Sequence, residues 1–225
     1  MHGTPHIVDD VMTCTVAAVG RRATFKEIVR MLQDWKVSAL PVLEGEGRVV
    51  GVVSEADLLP KEEYRDDGPA GDPALGDLPE RGAARALARA DARTAQELMT
   101  APALTTRADA TLAQAARTMT RAGVKRLPVV DELGMLQGIV SRADLLKVFL
   151  REDEEIAEEV RREIVSYLFP PPDSAVRVEV EDGVVRLGGR IRDTALVPVA
   201  ARLVRAVEGV VDVRFELGER ETAPV

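Results

Sequence analysis

The sequence predicts an α+β protein in which one β-α-β-β-α unit is used twice, packed as a pseudo-two-fold pair and followed by a small α-β-β-α-β domain. Three observations carry this. The chain matches itself when shifted by 87 positions, without a gap: Met12-Thr13 falls on Met99-Thr100, Leu40-Pro41-Val42 on Leu127-Pro128-Val129, and the run from Gly51 to Asp57 on the run from Gly138 to Asp144. At equivalent places, Thr24 with Glu27 and Thr111 with Gln114 form capping boxes ahead of apolar stripes at helical spacing. Beyond residue 150 the apolar period changes to two, with Val176, Val178 and Val180 alternating with Arg177, Glu179 and Glu181 up to Asp182-Gly183. Two copies without insertions read as one supersecondary unit whose apolar face is covered by its twin.

The first copy spans residues 7–60. A short strand is expected at 16–19, then a helix burying Phe25, Ile28, Val29 and Leu32, two paired strands at 39–43 and 49–53 around Gly45 and Gly47, and a last helix from Ser54. The second copy, residues 94–150, repeats this with Leu112, Ala115, Ala116 and Met119 on its helix, strands at 127–130 and 136–140, and a helix from Ser141. Residues 61–93 read as a charged, Pro/Gly/Ala-rich linker that is partly helical, with Arg81, Arg85, Arg89 and Arg93 recurring every fourth residue. That stripe fits a solvated helix face or a phosphate- or partner-binding one. Residues 152–218 form the third unit. An acidic helix carries Ile156, Val160, Ile164 and Leu168 and stops at Pro170-Pro171-Pro172; a hairpin turns at Asp182-Gly183. A helix from Asp193 to Val207, with Pro198 near its start and Gly209 after its end, precedes a strand presenting Val211, Val213, Phe215 and Leu217.

Composition excludes several functions. Aromatics make up 3% of the chain, too few for stacking platforms on single-stranded nucleic acid, and a net charge of -8 opposes phosphate backbones and anionic lipid. No nucleic-acid partner is expected. Cys14 stands alone and the two histidines, His2 and His6, lie at the start of the chain, so neither a disulfide framework nor a transition-metal site is expected. No apolar stretch reaches the roughly 18 residues of a membrane span and no secretory leader is recognisable, so a soluble, cytoplasmic protein is expected. No Ser-His-Asp, Cys-His or P-loop constellation can be assembled, and the chain is not expected to be an enzyme.

The chemistry-bearing motif is Gly, two apolar residues, Ser, two residues, Asp, at Gly51–Asp57 and Gly138–Asp144. A glycine at the strand end lets a ligand approach the backbone. Ser54 and Asp57, or Ser141 and Asp144, then offer a hydroxyl and a carboxylate where helix N–H groups are exposed, a set suited to a ribose diol and a phosphate. The same Ser and Asp equally make a helix cap, worth about 1 kcal/mol.

With the element order matched in both copies, the chain resembles a tandem CBS-domain pair, or Bateman module. That resemblance implies that Asp57 and Asp144 bind ribose hydroxyls of an adenosine nucleotide and that Ser54 and Ser141 lie against ribose or phosphate. It sets the adenine between residues 16–18, with Val16 and Ala17, and residues 37–40, with Ala39, in one copy, and between residues 103–105, with Leu104 and Thr105, and residues 124–127 in the other. Basic residues before the Leu-Pro-Val run often contact phosphate in this family, which points to Lys125 and Arg126, with Arg142 inside the second motif; ordinary surface cations are the plainer reading of these. The first copy has Ser38-Ala39 and Glu55 instead, so one competent site, in the second copy, is expected. The implied ligand is AMP, ADP or ATP, ahead of S-adenosylmethionine or NAD. Residues 152–218 resemble a BON domain, a family linked to membrane association in envelope proteins; the acidic first helix argues instead for a partner-interaction or assembly role. The expected function is a regulatory sensor that passes ligand state to a protein partner or to the BON domain, as a homodimer through the CBS pair. The alternative is a ligand-free dimerisation adaptor.

Overall fold

The computed structural model describes residues 7–63, 91–172 and 174–219. The helix expected in the linker, with Arg81, Arg85 and Arg89, falls outside the described residues. The chain divides into two compact units, one running Met12–Ser141, the other combining the described parts of Met1–Val11, with the short helix α1 (Val8–Val11), and of Arg142–Val225.

In the first unit, Thr24 and Thr111 cap α2 (Phe25–Asp34) and α6 (Leu112–Ala122), with both halves of each capping box formed. Their buried stripes, Ile28 and Leu32 in one and Leu112, Ala115 and Met119 in the other, lie on the predicted faces. Strands β2 (Ala39–Glu44) and β3 (Arg48–Ser54) pair antiparallel, as do β4 (Arg126–Val130) and β5 (Leu136–Ser141). Register shifts at Val42/Leu43 in the first pair and at Val129/Val130 in the second, so even the bulge obeys the 87-residue repeat. Ser54 leads into α3 (Glu55–Leu58), followed by α4 (Pro60–Glu63).

The expected strand at 16–19 is displaced. Only β1 (Val19–Gly20) pairs, parallel to β2, and its counterpart in the second copy is a single bridge, Thr106 to Val129. The reason is that the preceding arm is committed elsewhere: Thr13 exchanges two backbone hydrogen bonds with Ile139, 2.9 and 3.0 Å long. The pair related to it by the repeat, Thr100 with Val52, does the same at 2.9 and 3.1 Å. Arg48 bridges Met135, its own equivalent, as a residue beside a two-fold axis must. Each copy therefore begins on the other. The short helix α5 (Ala95–Leu98) buries Ala95 and Leu98 in the first copy's core beside Leu40, Val42 and Val53.

This exchange corrects the role expected of the motif glycines. A Cβ on Gly51 would overlap the Met99 side chain, and one on Gly138 would fall 2.7 Å from Met12 Sδ. The glycines make room for the other copy's arm, not for a ligand.

In the second unit, α7 (Arg142–Leu146) runs into a 3-10 turn, Lys147–Leu150. Arg151 follows, its guanidinium donating to the Glu208 carbonyl at 2.8 Å and to Glu159 Oε2 at 2.9 Å. Gly209, at φ 90°, lies so close that a Cβ there would stand 3.2 Å from the Val148 carbonyl. The acidic helix is α8 (Asp153–Glu159), a π turn (Val160–Val165) and α9 (Ser166–Leu168); the wide turn brings both Ile164 and Val165 into the core. Strands β6 (Ala175–Glu181) and β7 (Val184–Ile191) form the predicted hairpin, with Asp182 and Gly183 at positive φ. Both turn N–H groups donate to the Asp153 carboxylate at 2.8 Å.

The last helix is shorter than expected: α10 (Val197–Val204) follows a 3-10 turn, with Pro198 in its first turn, where the missing N–H costs no bond. Strand β8 (Asp212–Glu219) lies parallel to β7 and turns Val213, Phe215 and Leu217 inward. Val211 precedes it and is exposed.

Candidate functional site

Within Met12–Ser141 a cavity of about 430 Å³ opens among elements of both copies, a size typical of small-molecule sites. From the first copy it takes Ser38 and Ala39 at the start of β2, Val52 and Ser54 of β3, and Glu55 to Asp57 of α3. From the second it takes Thr100, Ala103 and Leu104 of the entering arm and Gly123 to Arg126 ahead of β4. Gly123 ends α6 in the left-handed conformation, φ 68°, which turns the chain so that Val124, Lys125 and Arg126 line the wall.

Asp57 is 6% exposed, the one charged residue that is buried among those described. Burial of a carboxylate requires hydrogen bonds. Its Oδ2 accepts from the Ser54 backbone N–H at 2.8 Å and from Ser54 Oγ at 2.7 Å, which fixes the carboxylate at the cavity wall and caps α3. The Glu55 N–H, expected to be exposed to a ligand, donates to the Ser38 carbonyl at 3.1 Å. Across the cavity, Arg126 Nη2 donates to Ser38 Oγ at 2.6 Å and so ties the second copy to the first.

The predicted residues thus fall into two groups. Ser54, Asp57, Ala39, Leu104, Lys125 and Arg126 line one cavity; Val16, Ala17, Thr105, Ser141, Arg142 and Asp144 do not line it. Ala17 belongs to the first copy's core. Asp144 Oδ1 accepts from Lys147 Nζ at 2.8 Å, where the first copy has Pro60 at the position equivalent to Lys147. Lys125 and Arg126, expected to serve the second copy's motif, line this cavity with Ser54 and Asp57 of the first. Val52, Thr100 and Gly123 went unrecognised. The repeat held the needed signal, because in a two-fold pair the strand starts of one copy lie near those of the other.

Models of the CBS domain match residues 8–62 and 95–151, and that of the BON domain matches 152–217. The chain belongs to the CBS-domain family, as a tandem pair followed by a BON domain. Uncharacterized protein MJ1426 of Methanocaldococcus jannaschii is 32% identical over 55% of this chain and 80% of its own length. The chloroplastic CBS domain-containing protein CBSX1 of Arabidopsis thaliana is 25% identical over 57% of this chain and 56% of its own. The crystal structure of CBSX2 in complex with AMP shares 28% identity and a TM-score of 0.55, covering 64% of this chain and 97% of that one. No helix among the described residues is long and apolar enough to cross a membrane.

Proposed function

We propose that the CBS pair binds an adenosine nucleotide, of the AMP, ADP or ATP kind, in the cavity shared by Ser54, Asp57, Lys125 and Arg126, and that the occupied state is read by a partner or by the BON domain. One observation carries the reading: a fixed carboxylate and a hydroxyl suited to a ribose diol share an apolar-walled cavity with two cations suited to a phosphate. Its similarity to CBSX2, crystallised with AMP, supports the same ligand class. A role for Ser141, Arg142 and Asp144 at a second, weaker position belongs to the proposal.

Transmission to the BON domain is supported by the Arg151 contacts, through which the Asp144-bearing helix α7 and the BON domain share one compact unit. A ligand shifts such a body only by its differential affinity for two states. A homodimer through the CBS pair is the proposed assembly; Leu59 and Leu146, equivalent in the repeats, are 64% and 61% exposed. A monomer in sedimentation at micromolar protein, with and without nucleotide, removes it.

The adaptor reading rests on the cap itself, since Ser54 and Asp57 stabilise α3 without any ligand. Calorimetry of the full chain against AMP, ADP, ATP, S-adenosylmethionine and NAD separates the two. Asp57→Asn keeps a capping oxygen but loses the carboxylate. It and Arg126→Ala are expected to weaken nucleotide binding more than Asp144→Ala does. At 100 times its Kd the nucleotide adds about 2.7 kcal/mol of stability. Silence across the panel favours the adaptor, and unchanged affinity in Asp57→Asn removes Asp57 from the nucleotide site.

A further inference from the structure

The two pairs of charges that the sequence assigns to separate copies face one space. Glu55 and Asp57 of the first copy and Lys125 and Arg126 of the second all line the same cavity, and their formal charges cancel. Asp57 is held at the buried wall by Ser54, while Glu55 opens the same short helix and its side chain is exposed. Arg126 is partly engaged by Ser38. A phosphate entering beside Lys125 and Arg126 therefore meets two cations and, besides Asp57 at the wall, the Glu55 carboxylate, and each further phosphate brings more negative charge with no further cation among the residues lining the cavity.

We propose that Glu55 makes this cavity selective for an adenosine ligand with a single phosphate over ADP and ATP. The inference rests on the nucleotide reading above. The cavity is on the order of 10 Å across, so Glu55 lies within about one Debye length of a ligand charge inside it, and for an exposed carboxylate this gives discrimination of about twofold to threefold per added charge. The second copy makes the contrast by itself, with Arg142 at the position equivalent to Glu55.

The test is magnesium-free calorimetric titration of the full chain with AMP and with ATP, for the parent protein, Glu55→Gln and Glu55→Arg. The parent is expected to bind AMP several-fold more tightly than ATP. Glu55→Gln should narrow that ratio about threefold to tenfold, Glu55→Arg should narrow it further, and the gain should shrink as salt is raised. Glu55→Gln removes the negative charge without inverting it or changing side-chain length, and it carries the test if Glu55→Arg lowers the ligand-free melting midpoint. A parent that prefers ATP, or an AMP-to-ATP ratio unchanged in Glu55→Gln, overturns the inference. If Asp57→Asn still abolishes binding of both nucleotides in that case, the nucleotide site stands and only Glu55's role falls; if neither nucleotide binds the parent, both fall together.

Discussion

Alanine at Gly138 tests the exchange of arms that builds the CBS pair. Its Cβ would stand 2.7 Å from Met12 Sδ, 3.2 Å from Met12 Cγ and 3.1 Å from the Thr13 carbonyl oxygen. The methionine can rotate, but the carbonyl cannot retreat, because Thr13 is held to Ile139 through both its N–H and its C=O. At Gly51 the three nearest atoms all belong to the Met99 side chain, so relief by rotation is available. Overpacking costs about 1–3 kcal/mol, and the geometry puts Gly138→Ala near the top of that range and Gly51→Ala near the bottom. For a chain of this size that is roughly 6–12 °C against 2–4 °C in the melting midpoint of the CBS pair. Urea and thermal unfolding of the two variants, each combined with truncation of its methionine, measure it as two double-mutant cycles. Met99→Ala should cancel most of the Gly51→Ala penalty, with coupling of about 1 kcal/mol, whereas Met12→Ala should recover only part of the Gly138→Ala penalty. Equal penalties at the two glycines, or no coupling between Gly51 and Met99, would refute the reasoning.

In the BON domain, Asp153→Ala removes the acceptor of both hairpin-turn N–H groups and is expected to cost about 1–2 kcal/mol, with Asp153→Asn retaining roughly half; amide exchange at Asp182 and Gly183 reads it, and unchanged protection in Asp153→Ala counts against the contact. The helix starts at Thr24 and Thr94 should respond to acid. The Thr24 backbone N–H lowers the Glu27 pKa from 4.5, and the Arg93 backbone N–H does so for Glu97. A carboxylate with a lowered folded-state pKa contributes stability that is present above its unfolded value and lost as pH falls through the folded one, so both caps weaken below pH 4.5. NMR titration of Glu27 checks this; a midpoint at or above 4.5 contradicts it.

Much of the fold is legible from residue order alone, because its causes are local. The capping boxes at Thr24 and Thr111, the apolar stripes behind them, and the turn at Asp182-Gly183 each depend on neighbours within a few positions. The repeat of 87 residues likewise implies a two-fold pair before any coordinate is known. Element ends were less legible where backbone partners lie far off: the strand expected at 16–19 shrinks to Val19–Gly20 because Thr13 pairs with Ile139. The cavity was half legible. Ser54, Asp57, Lys125 and Arg126 stand out by residue type, yet a one-dimensional reading groups side chains by copy, and nothing local tells Arg126 that it bonds Ser38 and shares a cavity with Asp57. Only the tertiary structure decided that grouping. A two-fold axis sets the strand starts of one copy against those of the other, so the surface completing each motif comes from a segment some 87 residues away, fixed by packing and backbone pairing across the axis.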